Sequence, residues 1–413
     1  MWCGYHDRRF FVELPVLNGR KPLETKSEMT VSNKPQRQYF VDWLRLAAVF
    51  LLFLFHTARI FDPNENFYVQ NDSFSPILHD VIISAIWPWH MSLFFLLAGA
   101  STYFALRHRI GKKYVSERFK RLFIPFLFGV LILIPPQSYL GIISHSNFSE
   151  PYFSWYPDFF ILQTDDMDGY FMGGHTWGQL WFIFHLFVYS LIALPLFQYF
   201  NRESGQRLIK RLALAFTKPG VIFIFPVLLA LMYEFPEVAG GNPLFYITFF
   251  ICGFILMSDS RFMDTIDRYR IILLIIGPVI FSGYMIAVVT NTWPQDLPRW
   301  ANDIRSYYVD AFVPWFVILT MLAYGRRLLQ FTNRFLKYFA EAAYPLYILH
   351  QTIILIIGYF IVQWGMNVPS KYALIVVFSF VATLLTYDVV VKRTNITRFL
   401  FGMRARQKKI PVE

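Results

Sequence analysis

The 413-residue chain is short of charge and of cysteine. Asp, Glu, Lys and Arg make up 16% of it against 56% apolar residues, and Cys3 and Cys252 are its two cysteines. A soluble domain has no use for that much apolar surface, so the composition excludes an ordinary globular class. Two cysteines at such unlike places exclude a disulfide framework and a thiolate metal site. HExxH, DxDxDG, Walker and dinucleotide-glycine patterns are also missing, so no metal and no permanently bound cofactor are expected. No inverted internal repeat advertises a transporter. A cleavable signal is not visible either: residues 1–40 hold seven Lys/Arg and no apolar core, a polar cytoplasmic lead within which Met29 is an alternative start.

What is present is a series of apolar runs, near 41–61, 80–106, 119–140, 180–200, 219–234, 243–258, 271–290, 307–324, 341–363 and 370–391. These predict an all-α, polytopic membrane protein of about ten helices. Charge sets the orientation. Of 38 Lys and Arg, 33 fall in segments 1–40, 107–121, 201–218, 259–270, 325–337 and 392–413, while Arg299, Arg305 and Lys371 fall in the alternate loops. That asymmetry predicts both termini in the cytoplasm, a membrane domain over 41–391 and a basic tail over 392–413. It also accounts for the net charge of +11 without nucleic acid as a partner. The largest outer loop, about 141–179, has many aromatics, His175 and the acids Asp165, Asp166 and Asp168. Such a surface suits a carbohydrate, and it equally suits an interfacial aromatic belt.

Arg45 and Arg59, the remaining two basic residues, lie inside the first run, "VDWLRLAAVFLLFLFHTARIF" (Val41–Phe61). Arg45 and His56 are eleven residues apart, three helical turns plus about 20°, so they share one stripe about 16 Å apart along the axis. Asp42 and Arg59 join the same face at spacings of three. A polar stripe in hydrocarbon must face a bundle interior or a wet cavity. Asp42–Arg45 reads as a structural pair or as a cytoplasmic-side anion site, with His56 beyond the midplane and Arg59 near the outer surface.

The pattern Asp42-x-x-Arg45-x10-His56 resembles the membrane-bound acyltransferase-3 family. Further blocks follow in register: "WHMSLFFLLAGAS" (Trp89–Ser101), Arg118 and Arg121 before Pro125, "LWFIFHLFVYS" (Leu180–Ser190), "AYPLYILH" (Ala343–His350) and the C-terminal "YDVVVKRTNITRFLFGMR". His90-Met91, "PPQSYL" at 135–140 and "RFLFGM" at 398–403 point to the family's glucan-succinylating type. Two departures stand out: Ala98-Gly99 where the family has Ser-Gly, and Asp388 where it has Glu. The resemblance implies transfer of an acetyl or succinyl group from cytoplasmic acyl-CoA, as co-substrate, to a glucan or other carbohydrate at the outer face of a bacterial inner membrane.

The residues fit such chemistry. An O-acyl transfer needs a base near neutral pH, and His56 can act as general base or carry the acyl group itself. His90 is a candidate to polarise the thioester carbonyl or orient His56. Arg45, Arg118 and Arg121 are candidates for the coenzyme A phosphates, though topology alone explains a basic loop. Arg59, His350, Tyr347 and His175 are candidates for acceptor contact or acyl selectivity, with packing as the alternative for His350 and for His90; His185 is assigned to packing. A transporter or flippase with the His/Arg stripe as a proton or anion path is the competing class.

Overall fold

The computed structural model describes residues 38–64, 66–107, 111–161, 174–238, 240–292 and 298–406. The N-terminal lead with Met29, the acids Asp165, Asp166 and Asp168, and the last residues of the tail lie outside the described residues. With no water to bond exposed backbone, long apolar segments satisfy their amides internally, as helices. Among the described residues there is no strand, only an isolated bridge between Val238 and Gly241.

Among the described residues, seven helices are long and apolar enough to cross a membrane: α1 Tyr39–Arg59, α2 Leu78–Leu106, α3 Gly111–His145, α7 Arg270–Val289, α8 Ile304–Leu328, α9 Arg334–Ile361 and α10 Val368–Val391. Three bent pairs lie between them, α4 Gly178–Ile192 with Leu194–Phe200, α5 Glu203–Phe216 with Val221–Tyr233, and α6 Pro243–Ser258 with Ser260–Arg268. Counting each pair as one crossing gives ten.

The bends have local causes. The α4 break of 50° falls at Ala193, just before Pro195. The arms of α5 meet at 113° across Lys218-Pro219-Gly220, with Gly220 at φ +84°, a conformation that favours glycine. In α6 the turn of 97° is held by Asp259, whose carboxylate accepts from the Arg261 backbone at 3.0 Å and grips its guanidinium at 2.9 and 2.7 Å. The run predicted over 219–234 is therefore a 13-residue arm of about 20 Å, preceded by the polar arm Glu203–Phe216. Other helices outrun their hydropathy windows: α9 starts at Arg334, not near 341, because Asn333 caps it by accepting from Leu336 at 2.8 Å. A hydropathy run marks the hydrocarbon stretch, whereas a cap marks where the helix begins.

The described basic segments collect at one end of the bundle. Arg326 and Arg327 of α8 pair with Asp264 and Asp267 at 2.9 and 3.3 Å, and Phe216 packs on Phe262. Arg398 of the tail reaches Glu341 at 2.7 Å, and Tyr344 donates to the Arg121 carbonyl at 2.8 Å. At the opposite end, buried Lys371 binds Asn71 Oδ1 at 2.8 Å and the Val362 carbonyl at 2.6 Å, tying the loop after α1 to the α9–α10 turn. The lateral faces are apolar and open: Ile271, Val279 and Ile286 on α7 are each more than 60% exposed, as a lipid-facing helix requires.

The tightest crossing joins α2 to α6. A Cβ on Gly99 would fall 1.8 Å from the Phe250 carbonyl oxygen, and one on Gly253 would fall 1.9 Å from that of Leu96. Both glycines therefore let backbones touch, the small-residue packing that substitutes for a hydrophobic drive within lipid. Gly253→Leu is expected to cost about 3 kcal/mol or more, seen as loss of monodisperse protein and a lowered melting temperature in detergent. Gly365→Ala, at a position with open space around it, is the control and should melt like the parent.

Candidate active site at a buried histidine cluster

Three helices bring three histidines together. His56 of α1 and His350 of α9 have ring centres 5.0 Å apart, and His90 of α2 is within electrostatic reach of both. His350 is completely buried, His90 nearly so and His56 half-buried. His90 Nε2 is 2.8 Å from the Ala48 carbonyl, which only accepts, so it donates there. His350 Nδ1 donates in the same way to the Tyr347 carbonyl at 2.6 Å. Among the described residues, His56 Nδ1 and His350 Nε2 are buried without a hydrogen-bond partner, each a cost of about 1–3 kcal/mol.

Tyr347 does not face this cluster with its hydroxyl; it donates to the Gln179 carbonyl. Around it lies an amide lattice. Gln137 Nε2 reaches Thr352 Oγ1 at 2.7 Å and Gln179 Oε1 at 3.1 Å, and its own Oε1 accepts from Gln351 at 3.0 Å. Gln179 donates to the Ile348 carbonyl at 3.1 Å. All four side chains are buried, so α3, the start of α4 and the middle of α9 are fixed together beside His350.

Toward the basic end the two arginines meet adjacent hydroxyls of α2. Arg45 bonds Ser101 Oγ at 2.6 Å and Asp42 at 3.4 Å. Arg118 bonds Thr102 Oγ1 at 3.0 Å and lies over the Tyr114 ring at 4.7 Å. Arg118 and Arg121 both lie within electrostatic reach of the Tyr344 phenol. The three candidate donor-binding residues are thus grouped around the inner halves of α2 and α9.

A model of the acyltransferase 3 domain matches residues 38–388. The chain belongs to the acyltransferase-3 family. It is 23% identical over 350 residues to glucans biosynthesis protein C of Escherichia coli strain K12, covering 79% of this chain and 84% of that protein. The protein of that name from Salmonella heidelberg strain SL476 is 21% identical over 387 residues, 89% of this chain and 94% of its own length. That of Shigella dysenteriae serotype 1 strain Sd197 is 24% identical over 353 residues. No solved structure matches. The protein is a membrane acyltransferase.

In this acyltransferase Arg59 is not a lone cation. It pairs with fully buried Asp62 at 3.0 Å, and Asp62 also holds His79 Nδ1 at 2.9 Å and the Asn64 backbone at 2.9 Å. The guanidinium lies 5.6 Å over Phe67, and the Phe67 ring also stacks with that of His56, centres 6.3 Å apart. The end of α3 and the segment that follows it form an aromatic nest of Tyr139, Tyr152, Trp155, Tyr156, Phe159 and Phe160. His175 packs on Phe159 with centres 5.0 Å apart, and burial lowers its pKa, offset in part by a hydrogen bond to the Phe159 backbone. The His185 nitrogens lie 2.9 and 3.0 Å from the Trp181 and Val238 carbonyls.

Sequence reading missed Asp62 and His79, the hydroxyls of Ser101 and Thr102, and the glutamine lattice. Asp62 carried a signal, the i+3 spacing from Arg59; the glutamines carried none. Asp62→Ala removes the buried carboxylate that holds Arg59 and His79 together and is expected to cost about 3 kcal/mol or more, measured as a lowered melting temperature of the purified protein.

Proposed function

We propose that the chain transfers an acetyl or succinyl group from cytoplasmic acyl-CoA to a glucan or similar carbohydrate at the outer face of a bacterial inner membrane, with His56 as general base. The observation that carries this reading is the half-buried His56 ring, set in a histidine cluster of an acyltransferase and about 16 Å along α1 from Arg45. The printed name of the relatives supplies the glucan. The grouping of basic segments at one end supports both termini, and the donor, on the cytoplasmic side.

The step balances simply. His56 Nε2 takes the acceptor hydroxyl proton, the oxygen bonds to the acyl carbonyl carbon, the C–S bond breaks, and its electron pair leaves on sulfur. The proton then passes to that thiolate, giving an ester and a free thiol. Arg45, Arg118 and Arg121 would take the coenzyme A phosphates. Ser101 and Thr102 fix two of those guanidinium planes in advance, and a pre-set fork suits bidentate phosphate contact. His90, held by Ala48, would help to orient the His56 ring. The aromatic nest with His175 offers stacking faces to the acceptor.

Purified protein in nanodiscs, given radiolabelled acetyl- or succinyl-CoA and glucan, should form acylated glucan. His56→Ala should lower turnover about 100-fold or more while remaining folded; an active His56→Ala protein overturns the reading. Arg59 is the cation next to His56 that could meet a succinyl carboxylate, in competition with Asp62. Arg59→Leu should then lose succinyl transfer and keep acetyl transfer, whereas equal loss of both makes Arg59 structural.

A further inference from the structure

A histidine base works through one nitrogen, and it needs its proton held on the other. In many hydrolytic sites a carboxylate does this; among the described residues, the side chain beside the His56 ring in the bundle interior is another imidazole. His350 donates through Nδ1 to the Tyr347 carbonyl. Because a carbonyl only accepts, the His350 tautomer is fixed, and Nε2 carries a bare lone pair. That lone pair is buried and unpartnered, and so is Nδ1 of His56. The ring centres are 5.0 Å apart with planes at 48°. Two imidazoles sharing an N–H···N bond of about 2.9 Å have centres about 5 Å apart, so rotation of the His56 ring, without backbone movement, completes the pair.

We propose that His350 is the positioning residue for His56, its Nε2 accepting the His56 Nδ1–H and so keeping His56 Nε2 as the basic nitrogen. This rests on the reading of His56 as general base. The relay runs from the Tyr347 carbonyl through His350 and His56 to the acceptor hydroxyl. When His56 Nε2 takes the hydroxyl proton, the imidazolium donates more strongly through Nδ1 to His350. The proton then leaves Nε2 for the thiolate, and His350 ends in the tautomer in which it began. The carbonyl end of the relay cannot drift, since Tyr347 is tied to Gln179 and the next side chain, Gln351, to Gln137. Phe53, with its ring centre 5.9 Å from His350, walls the pair on one side.

Two substitutions separate positioning from packing in the nanodisc assay. His350→Phe fills the ring volume and removes the acceptor, while His350→Gln restores an acceptor near the position of Nε2. His350→Phe should lower kcat about 100-fold with the donor KM within about twofold, and His350→Gln should recover about tenfold of that loss. Wild-type kcat in His350→Phe, equal losses in the two variants, or a change confined to KM would overturn the proposal. Should His350→Phe fail to fold, 15N spectra of histidine-labelled wild-type protein, assigned with His56→Ala, read the tautomer directly: a proton on His56 Nδ1 supports it and one on Nε2 refutes it. An active His56→Ala enzyme would sink the general-base reading itself. An inactive one beside unaffected His350 variants would sink the pairing alone.

Discussion

The absence of water partners inside a bilayer governs how this bundle is built. A polar group in a span must find protein or carry its full desolvation cost, several kcal/mol for an ion. The chain meets that demand almost everywhere. Arg45 has Ser101 and Asp42, Arg118 has Thr102, Arg59 has Asp62, and Lys371 has Asn71 and a carbonyl. His90 and His185 end on carbonyls. Among the described residues the exceptions include a few hydroxyls, Thr57 and Ser138 among them, and the buried nitrogens of His56 and His350, whose rings lie side by side. An unmet cost persists in a native fold where something other than stability maintains it.

The second helix does most of the positioning. Near its middle it supplies His90, which fixes its ring on the α1 backbone; nearer its C-terminal end it supplies Ser101 and Thr102, which hold the arginines of α1 and α3. Gly99 lies between these two sets and lets α2 settle against α6 at backbone contact. The departure at Ala98-Gly99 falls at this crossing, and Ser101 and Thr102 present their hydroxyls to the arginines a turn later. Packing and site geometry are therefore set by one helix, and a shift of its register would disturb both polar ends.

Much of this was legible in the sequence, for physical reasons that also fix the limits. The i, i+11 spacing of Arg45 and His56 is a rotation and a rise, both local properties of an α-helix, and helix α1 keeps them. The alternation of basic loops reflects a constraint on every loop at once, and the described basic segments do gather together. By contrast, Gln137, Gln179 and Gln351 come from three distant places and have no shared period, so only the fold reveals that they form one lattice. His350 was visible as a histidine within a span, but a single helix carries no information on which ring it will face. Arg59 reads as a lone cation because the apolar run ends at Phe61, one residue before its carboxylate partner Asp62.

The two polar ends also differ in kind. The basic end gathers guanidiniums on hydroxyl anchors, an array that attracts multivalent anions before any contact is made. The far end neutralises its charges internally, through Arg59–Asp62–His79 and the Lys371 clamp, and presents aromatic faces instead. A neutral, ring-shaped, hydroxyl-rich molecule gains little from a field and much from flat apolar walls with amide and carbonyl rims. A polyanionic donor and a sugar acceptor would thus each favour a different end of one bundle. The histidine cluster lies farther along α1 than Arg45, on the same stripe, so a thioester arm entering from the basic end would meet an acceptor at the rings rather than at either surface.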